Sequence, residues 1–187
     1  DASILKWGEL DANVPDIKPI RTISTSAEKI DFSFFGTRLV CITNNNEIQS
    51  YDVKTGKLLF NLSATNDNIY LSYYTDIKVS PDGKTIAVSQ GSSSTTSFIL
   101  IYDIVSGALL KTLKGHSRFI HAIDFTPDGK SLLSTGADGT VRLWDVESGL
   151  ELCSVIATGG TSRVFTTPDN YYMSSKESIK AIGFNYN

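Results

Sequence analysis

Gly115-His116, then Ile123-Asp124-Phe125-Thr126-Pro127-Asp128-Gly129-Lys130, then Gly136-Ala137-Asp138-Gly139-Thr140-Val141-Arg142-Leu143-Trp144-Asp145 follow one another in a chain of 187 residues. Each piece carries a local structural instruction. Pro127-Asp128-Gly129 marks a tight turn, because proline presets φ and glycine accepts positive φ without steric cost. Asp138-Gly139 between two apolar runs is a strong short-range signal for a hairpin. Ile123, Phe125 and Leu132 alternate with polar neighbours, the period of a pleated, half-buried strand. No segment carries a long apolar stripe at helical spacing.

The same grammar recurs on both sides of this stretch. Ser80-Pro81-Asp82-Gly83-Lys84 and Thr167-Pro168-Asp169-Asn170 repeat the turn, and Phe34-Phe35-Gly36-Thr37 is a weaker copy. Apolar runs follow at 39–42, 85–88, 131–134 and 171–173. Tyr51-Asp52, Tyr102-Asp103 and Trp144-Asp145 then lead into Val53-Lys54-Thr55-Gly56, Ile104-Val105-Ser106-Gly107 and Val146-Glu147-Ser148-Gly149. The aromatic positions Trp7, Tyr51, Tyr102, Trp144 and Phe184 are spaced by 44, 51, 42 and 40 residues. The longest gap holds the insertion Gly91-Ser92-Ser93-Ser94-Thr95-Thr96-Ser97, which reads as a flexible surface loop. A period of this size, built from four short strands per unit, is the mark of a radial β-repeat.

In these motifs the chain resembles the WD-repeat family of β-propellers, in outline over nearly all its length and closely over residues 115–157. The resemblance implies an all-β fold, a β-propeller of four-stranded antiparallel blades. It also implies a buried tetrad of His, Ser or Thr, Asp and Trp, which falls here on His116, Ser134, Asp138 and Trp144. Chemistry supports such a group, since a buried indole N–H needs an acceptor and a buried imidazole needs partners on both nitrogens. The other units depart from the pattern. Tyr51 and Tyr102 replace Trp, and no His stands near Ala64 or Gly159, so apolar packing is expected to hold those blades.

Seven blades of about 40–45 residues need about 300 residues, more than this sequence has. The segments divide as the end of a preceding blade (1–24), three blades (25–64, 65–114 and 115–157) and a partial last blade (158–187). Gly159-Gly160-Thr161 is expected to make the turn into that last blade. We read an incomplete, C-terminal portion of a larger propeller, completed by further blades upstream or by a second copy. The alternative is a small ring of four or five blades, with the strand at 20–24 paired to the one at 179–184.

Composition narrows the partners. The net charge of −3, with Lys and Arg scattered singly, gives no nucleic-acid surface. No apolar run reaches membrane-spanning length, and a cytoplasmic location is expected. Cys41 and Cys153 fall in strands of different units and read as small buried hydrophobes rather than a disulfide. Two histidines and no Cys-x-x-Cys pair give no zinc site, and no cofactor motif is present. Asn61-Leu62-Ser63 matches the glycosylation triplet, a match that arises readily by chance. Ser134, Asp138 and His116 have the residue types of a catalytic triad, but all three sit on tetrad positions, where the hydroxyl lies under the indole.

Two functions remain. The resemblance implies a non-catalytic scaffold that takes a protein or peptide partner on its rim, at Phe119, His121, Ala137, Tyr73, Thr75 and Ser162. Phe119 and Tyr73 read equally well as caps on the blade ends. The alternative is a recognition domain of a larger enzyme. The closing Thr167-Pro168-Asp169-Asn170-Tyr171-Tyr172-Met173 resembles the last repeat of bacterial propellers fused to caspase-like proteases.

Overall fold

A computed structural model describes residues 2–4, 21–23, 25–33, 35–63, 73–91, 97–159, 162–169 and 171–174. Every strand among them pairs antiparallel, and no helix occurs among the described residues. Strands β1 (Ala2–Ile4) and β2 (Arg21–Ile23) form a small two-stranded antiparallel sheet. The first blade contains β3 (Ala27–Phe32), β4 (Arg38–Thr43), β5 (Glu47–Asp52) and β6 (Leu58–Ser63). The second contains β7 (Tyr73–Val79), β8 (Thr85–Gly91), β9 (Phe98–Asp103) and β10 (Leu109–Lys114). The third contains β11 (Ile120–Phe125), β12 (Ser131–Gly136), β13 (Thr140–Asp145) and β14 (Glu151–Gly159).

The repeated motifs are the turns between these strands. Ser80 Oγ and Thr126 Oγ1 each donate to the Asp two residues on, at 2.7 and 2.6 Å, and accept the backbone N–H of Thr85 and Ser131. Asp52, Asp103 and Asp145 each accept both the backbone N–H and the hydroxyl of Thr55, Ser106 or Ser148. Those bonds hold all three carboxyls below their ordinary pKa. Gly56, Gly107 and Gly149 then close the turn at φ of 73°, 71° and 77°, where a side chain would be strained.

Irregularities repeat as faithfully as the turns. The inner strands β3, β7 and β11 bulge at Glu28, Thr75 and His121, and the outer strands β6, β10 and β14 bulge at Leu59, Leu110 and Leu152. Equivalent bulges in three blades are built-in features that bend the strand and re-aim a side chain.

The core lies between the blades. Val40 and Ile48 of the first blade pack on Ile77, Ile86, Val88 and Leu100 of the second. Ala87, Ile99, Ile101 and Leu113 of the second pack on Ile120, Ile123, Leu132 and Trp144 of the third. Full burial of a side chain of this size is worth about 1.5–3 kcal/mol, so these two seams carry most of the stability. On the far side of the first blade, Ile23 packs with Leu39, Cys41 and Tyr51.

Inner-strand carboxylates pin each seam. Asp31 Oδ2 accepts the backbone N–H of Val79 at 2.7 Å, and Asp76 Oδ2 accepts that of Ile123 at 3.0 Å. Substituting Asp76 by Ala leaves the Ile123 N–H without this acceptor, and a cost of about 1 kcal/mol is expected. Urea unfolding measures it; a midpoint unchanged from the parent protein would show that the seam does not use the bond.

The last segment departs from the expectation of a separate blade. β15 (Ser162–Thr166) and β16 (Tyr172–Ser174) extend the third blade's sheet to six strands, with β15 paired to β14. Gly159 pairs with Ser162, leaving a two-residue connection at 160–161. The chain thus folds back on the edge of its own sheet, β15 lying antiparallel to β14, instead of crossing to a new sheet. At the other end, β2 pairs with β1. Trp7 and the segment 179–184 lie outside the described residues, and so does the pairing of 20–24 with it. Cys41 is buried and Cys153 half-buried, both as free thiols.

Candidate functional site

The third blade is held by one polar chain. Trp144 Nε1–H donates to Ser134 Oγ at 2.8 Å, Ser134 Oγ lies 2.7 Å from His116 Nε2, and His116 Nδ1 lies 2.9 Å from Asp138 Oδ2. Direction follows from chemistry: an indole N–H only donates and a carboxylate only accepts. The serine hydroxyl therefore donates to His116 Nε2, and the imidazole donates its Nδ1–H to Asp138. His116 is neutral in this arrangement. Burial lowers its pKa, against the opposing pull of the Asp138 carboxylate.

Asp138 is the hub. Its oxygens also accept from Thr140 Oγ1 at 2.7 Å, from the Ser117 backbone N–H at 3.1 Å and from the Thr140 backbone N–H at 3.1 Å. Burial disfavours the charged carboxylate, but the hydrogen bonds from Thr140, His116 and Ser117 outweigh it and hold the pKa at about 2. Sequence reasoning missed Thr140, although a hydroxyl two residues after a turn Asp is a local signal for such a bond. It also missed Arg142, which bonds Thr140 and Glu151 and closes the site from the β14 side. Gly136 was missed as well. A methyl group there would stand 2.5 Å from His116 Nδ1 and 2.7 Å from Asp138 Oδ1.

The other blades replace this chain rather than copy it. In the first, Ile23 stands four residues before Ala27, as His116 stands before Ile120, while Cys41 and Tyr51 occupy the places of Ser134 and Trp144. Those three side chains form an apolar cluster. In the second, Val88 and Tyr102 take the serine and tryptophan places within the seam core.

The rim residues gather at the end where the inner strands begin. Tyr73 pairs with Gly91, and a methyl group at Gly91 would stand 3.6 Å from the Phe119 α-carbon. The Phe119 carbonyl in turn accepts the Ala137 N–H at 2.7 Å. Tyr73, Phe119 and Ala137 thus form one continuous strip across the seam between the second and third blades. Tyr73 is 58% exposed, Ala137 and His121 are exposed, and Phe119 is half-buried. Thr75 is different: its hydroxyl lies 2.7 Å from Ser89 Oγ and donates to the Ile120 carbonyl at 2.8 Å. It ties two blades together and offers little to a partner. Ser162 begins β15, and its side chain is outside the described residues.

Ser134 is 1% exposed, with its oxygen engaged by both Trp144 and His116. A nucleophile must be reachable from a pocket, and this one is sealed. Among the described residues no group of three or more His, Cys, Asp or Glu is placed to hold a metal ion, and no helix is long and apolar enough to cross a membrane.

Comparison with known proteins finds the same repeat. A family model for the "WD domain, G-beta repeat" matches residues 107–145. The Danio rerio "WD repeat and SOCS box-containing protein 1" is 31% identical over 149 residues, 79% of this chain and 33% of that protein. The Xenopus laevis "U3 small nucleolar RNA-associated protein 15 homolog" is 29% identical over 126 residues, 67% of this chain and 23% of its own length. Among solved structures, "Crystal structure of RRP9 WD40 repeats" superposes with a TM-score of 0.60 at 19% identity, over 82% of this chain and 52% of that one. At that identity the likeness shows the fold. The chain spans about a third or less of the length of these curated relatives.

Proposed function

Because the chain belongs to the WD-repeat β-propeller family, we propose that it is a non-catalytic platform that docks a protein or peptide segment. The docking site is the strip of Tyr73, Phe119 and Ala137, with His121 exposed two residues beyond Phe119. The observation that carries this reading is the continuity of the strip across a rigid seam, with an aromatic side chain standing 58% exposed on it. Exposed aromatics on a preformed surface suit hot-spot recognition, since little conformational entropy is lost on binding. The sealed Ser134 hydroxyl supports the absence of hydrolysis, and nothing in the comparisons favours a caspase-like fusion.

The net charge of −3 favours protein over nucleic acid. One similar protein is named for association with a small nucleolar RNA, so RNA enters the test directly. A cytoplasmic setting is proposed on the two free thiols.

Peptides selected from a random display library on the intact chain provide the probe. Tyr73→Ala and His121→Ala, both at exposed positions, are expected to weaken the selected peptides at least tenfold while leaving the melting temperature unchanged. Exposed Leu110, on the circumference, supplies the control as Leu110→Ala. Equal binding by all three variants would overturn the rim assignment. Tighter, salt-sensitive binding of a single-stranded RNA oligonucleotide than of any selected peptide would overturn the choice of partner.

A further inference from the structure

The outward face of the third blade repeats, position for position, the face on which each earlier blade receives the next. In the second blade that face is Ala87, Ile99, Ile101 and Leu113, each no more than 2% exposed beneath the third blade. Aligned by their turns and bulges, the counterparts are Leu133, Val141, Leu143 and Val155. Here Leu133 is 42% and Val141 37% exposed. The polar pin is duplicated too. Asp31 and Asp124 stand two residues before the turn residues Ser33 and Thr126, and their cross-strand neighbours are Val40 and Leu133. Asp31 holds the Val79 N–H of the next blade, whereas the Asp124 side chain is exposed. A hollow of about 290 Å³ borders this face, lined by Asp124, Leu133, Ala122 and Thr135 and, from the second blade, by Asp76 and Lys78.

The sequence supplies a matching occupant. Counted back from Thr167, the equivalent of Ser80 and Thr126, Thr166 stands where Val79 stands, and Val164 where Ile77 and Ile123 stand. Thr167-Pro168-Asp169 is the inner-hairpin turn of the earlier blades. We propose that the β15–β16 hairpin has a second berth on this face, with Val164 against Val141 and Leu133 and the Thr166 N–H on Asp124. In the described arrangement the hairpin instead lies on the β14 edge, where Ser154 Oγ and Thr166 Oγ1 are 2.7 Å apart.

The connections on either side of the third blade differ in what anchors them. The crossing from β10 to β11 carries His116, anchored by Ser134 and Asp138, which fixes the chain on its way to the next sheet. The corresponding place, at the end of β14, is Thr158, followed in the sequence by Gly159-Gly160. No imidazole holds that connection across the seam.

Disulfide trapping in the whole chain, with Cys41→Ala and Cys153→Ser as background, tests the two berths. Ile99 and Ile123 meet in one buried cluster, so Val141→Cys with Val164→Cys should close a bond in the face berth. On the edge berth the two are barred, because Val141 shares its sheet face with Val155 and Phe165 while Val164 lies on the other. Val155→Cys with Phe165→Cys, directly paired across β14 and β15, reports the edge berth. The expected result is intramolecular disulfide from both pairs, with Asp124→Ala lowering the yield of the Val141–Val164 bond at least threefold and sparing the other. Trapping by the Val155–Phe165 pair alone would overturn the second berth. A Val141–Val164 bond formed only between molecules would overturn it as well, and a yield indifferent to Asp124→Ala would remove the pin.

Discussion

Trp144→Ala is expected to lower stability by about 3–5 kcal/mol, the usual cost of truncating a large buried aromatic side chain. Three effects act together. The indole is 1% exposed and fills the seam beside Ile99, Ile101 and Leu113, so its removal opens a cavity between two blades rather than within one. Its N–H is a donor to Ser134 Oγ, and losing it leaves that oxygen facing a void. Gly115 lies so close that a methyl group there would stand 2.8 Å from the ring, which shows how little the surrounding backbone can collapse. Against a total of about 5–15 kcal/mol for an ordinary domain, such a loss brings the chain near its unfolding threshold. Trp144→Tyr offers a graded comparison, because the first and second blades place Tyr51 and Tyr102 there with 8% and 9% exposure. It should recover most of the apolar contribution and little of the polar chain. Urea unfolding decides the matter: a Trp144→Ala loss below about 1 kcal/mol would mean that the seam does not depend on the ring.

Reading the sequence alone went furthest where a local motif has a single structural meaning. Pro-Asp-Gly and Asp-Gly turns placed the strand ends within a few residues, because the turn type demands those residues. The tetrad was legible because its four residue types stand at the spacing of the resemblance. The bulges at Glu28, Thr75 and His121 were not legible. Periodicity fixes which face a side chain takes, but a bulge depends on pairing with the next strand, and that is absent from either strand alone. The pins Asp31 and Asp76 were missed for a similar reason: each finds its partner about 47 residues away, on another blade. Thr75 shows the opposite situation. Its position on the rim was carried over from the resemblance, whereas its hydroxyl is engaged by Ser89 and Ile120 within the fold. The final hairpin shows a third kind of limit. Gly159-Gly160 serves equally well for a crossing and for a fold-back, and only the competition between an edge and a face selects one.

Acid should weaken the third blade in two stages, and Asp138→Ala should change both. Burial lowers the His116 pKa in the folded protein. Below about pH 6.5, the ordinary value for His, the unfolded chain therefore binds a proton that the folded chain refuses. Stability is complete above that pH and falls as pH drops from it toward the folded pKa. Asp138 adds a second stage with the same sign. Its folded pKa of about 2 lies below the ordinary 3.8, so its contribution is present above that value and lost as pH falls through about 2. The shift corresponds to about 2 kcal/mol, for a side chain only 7% exposed. At neutral pH, Asp138→Ala deprives His116 Nδ1–H, the Ser117 N–H and the Thr140 hydroxyl of an acceptor, for an expected loss of about 1–3 kcal/mol. The variant also loses the negative charge that favours protonated His116, so its imidazole resists protonation more strongly. Its stability should consequently fall further than the parent's as pH drops below about 6.5, while the stage that belongs to Asp138 is lost. Denaturant midpoints from pH 2 to 8 for parent, Asp138→Ala and Asp138→Asn test each sign, with Asn expected to be milder because its carbonyl still accepts the Nδ1–H. A parent whose stability is flat from pH 7 to 5, or an alanine variant with the parent's midpoint at pH 7, would remove Asp138 from the centre of the blade.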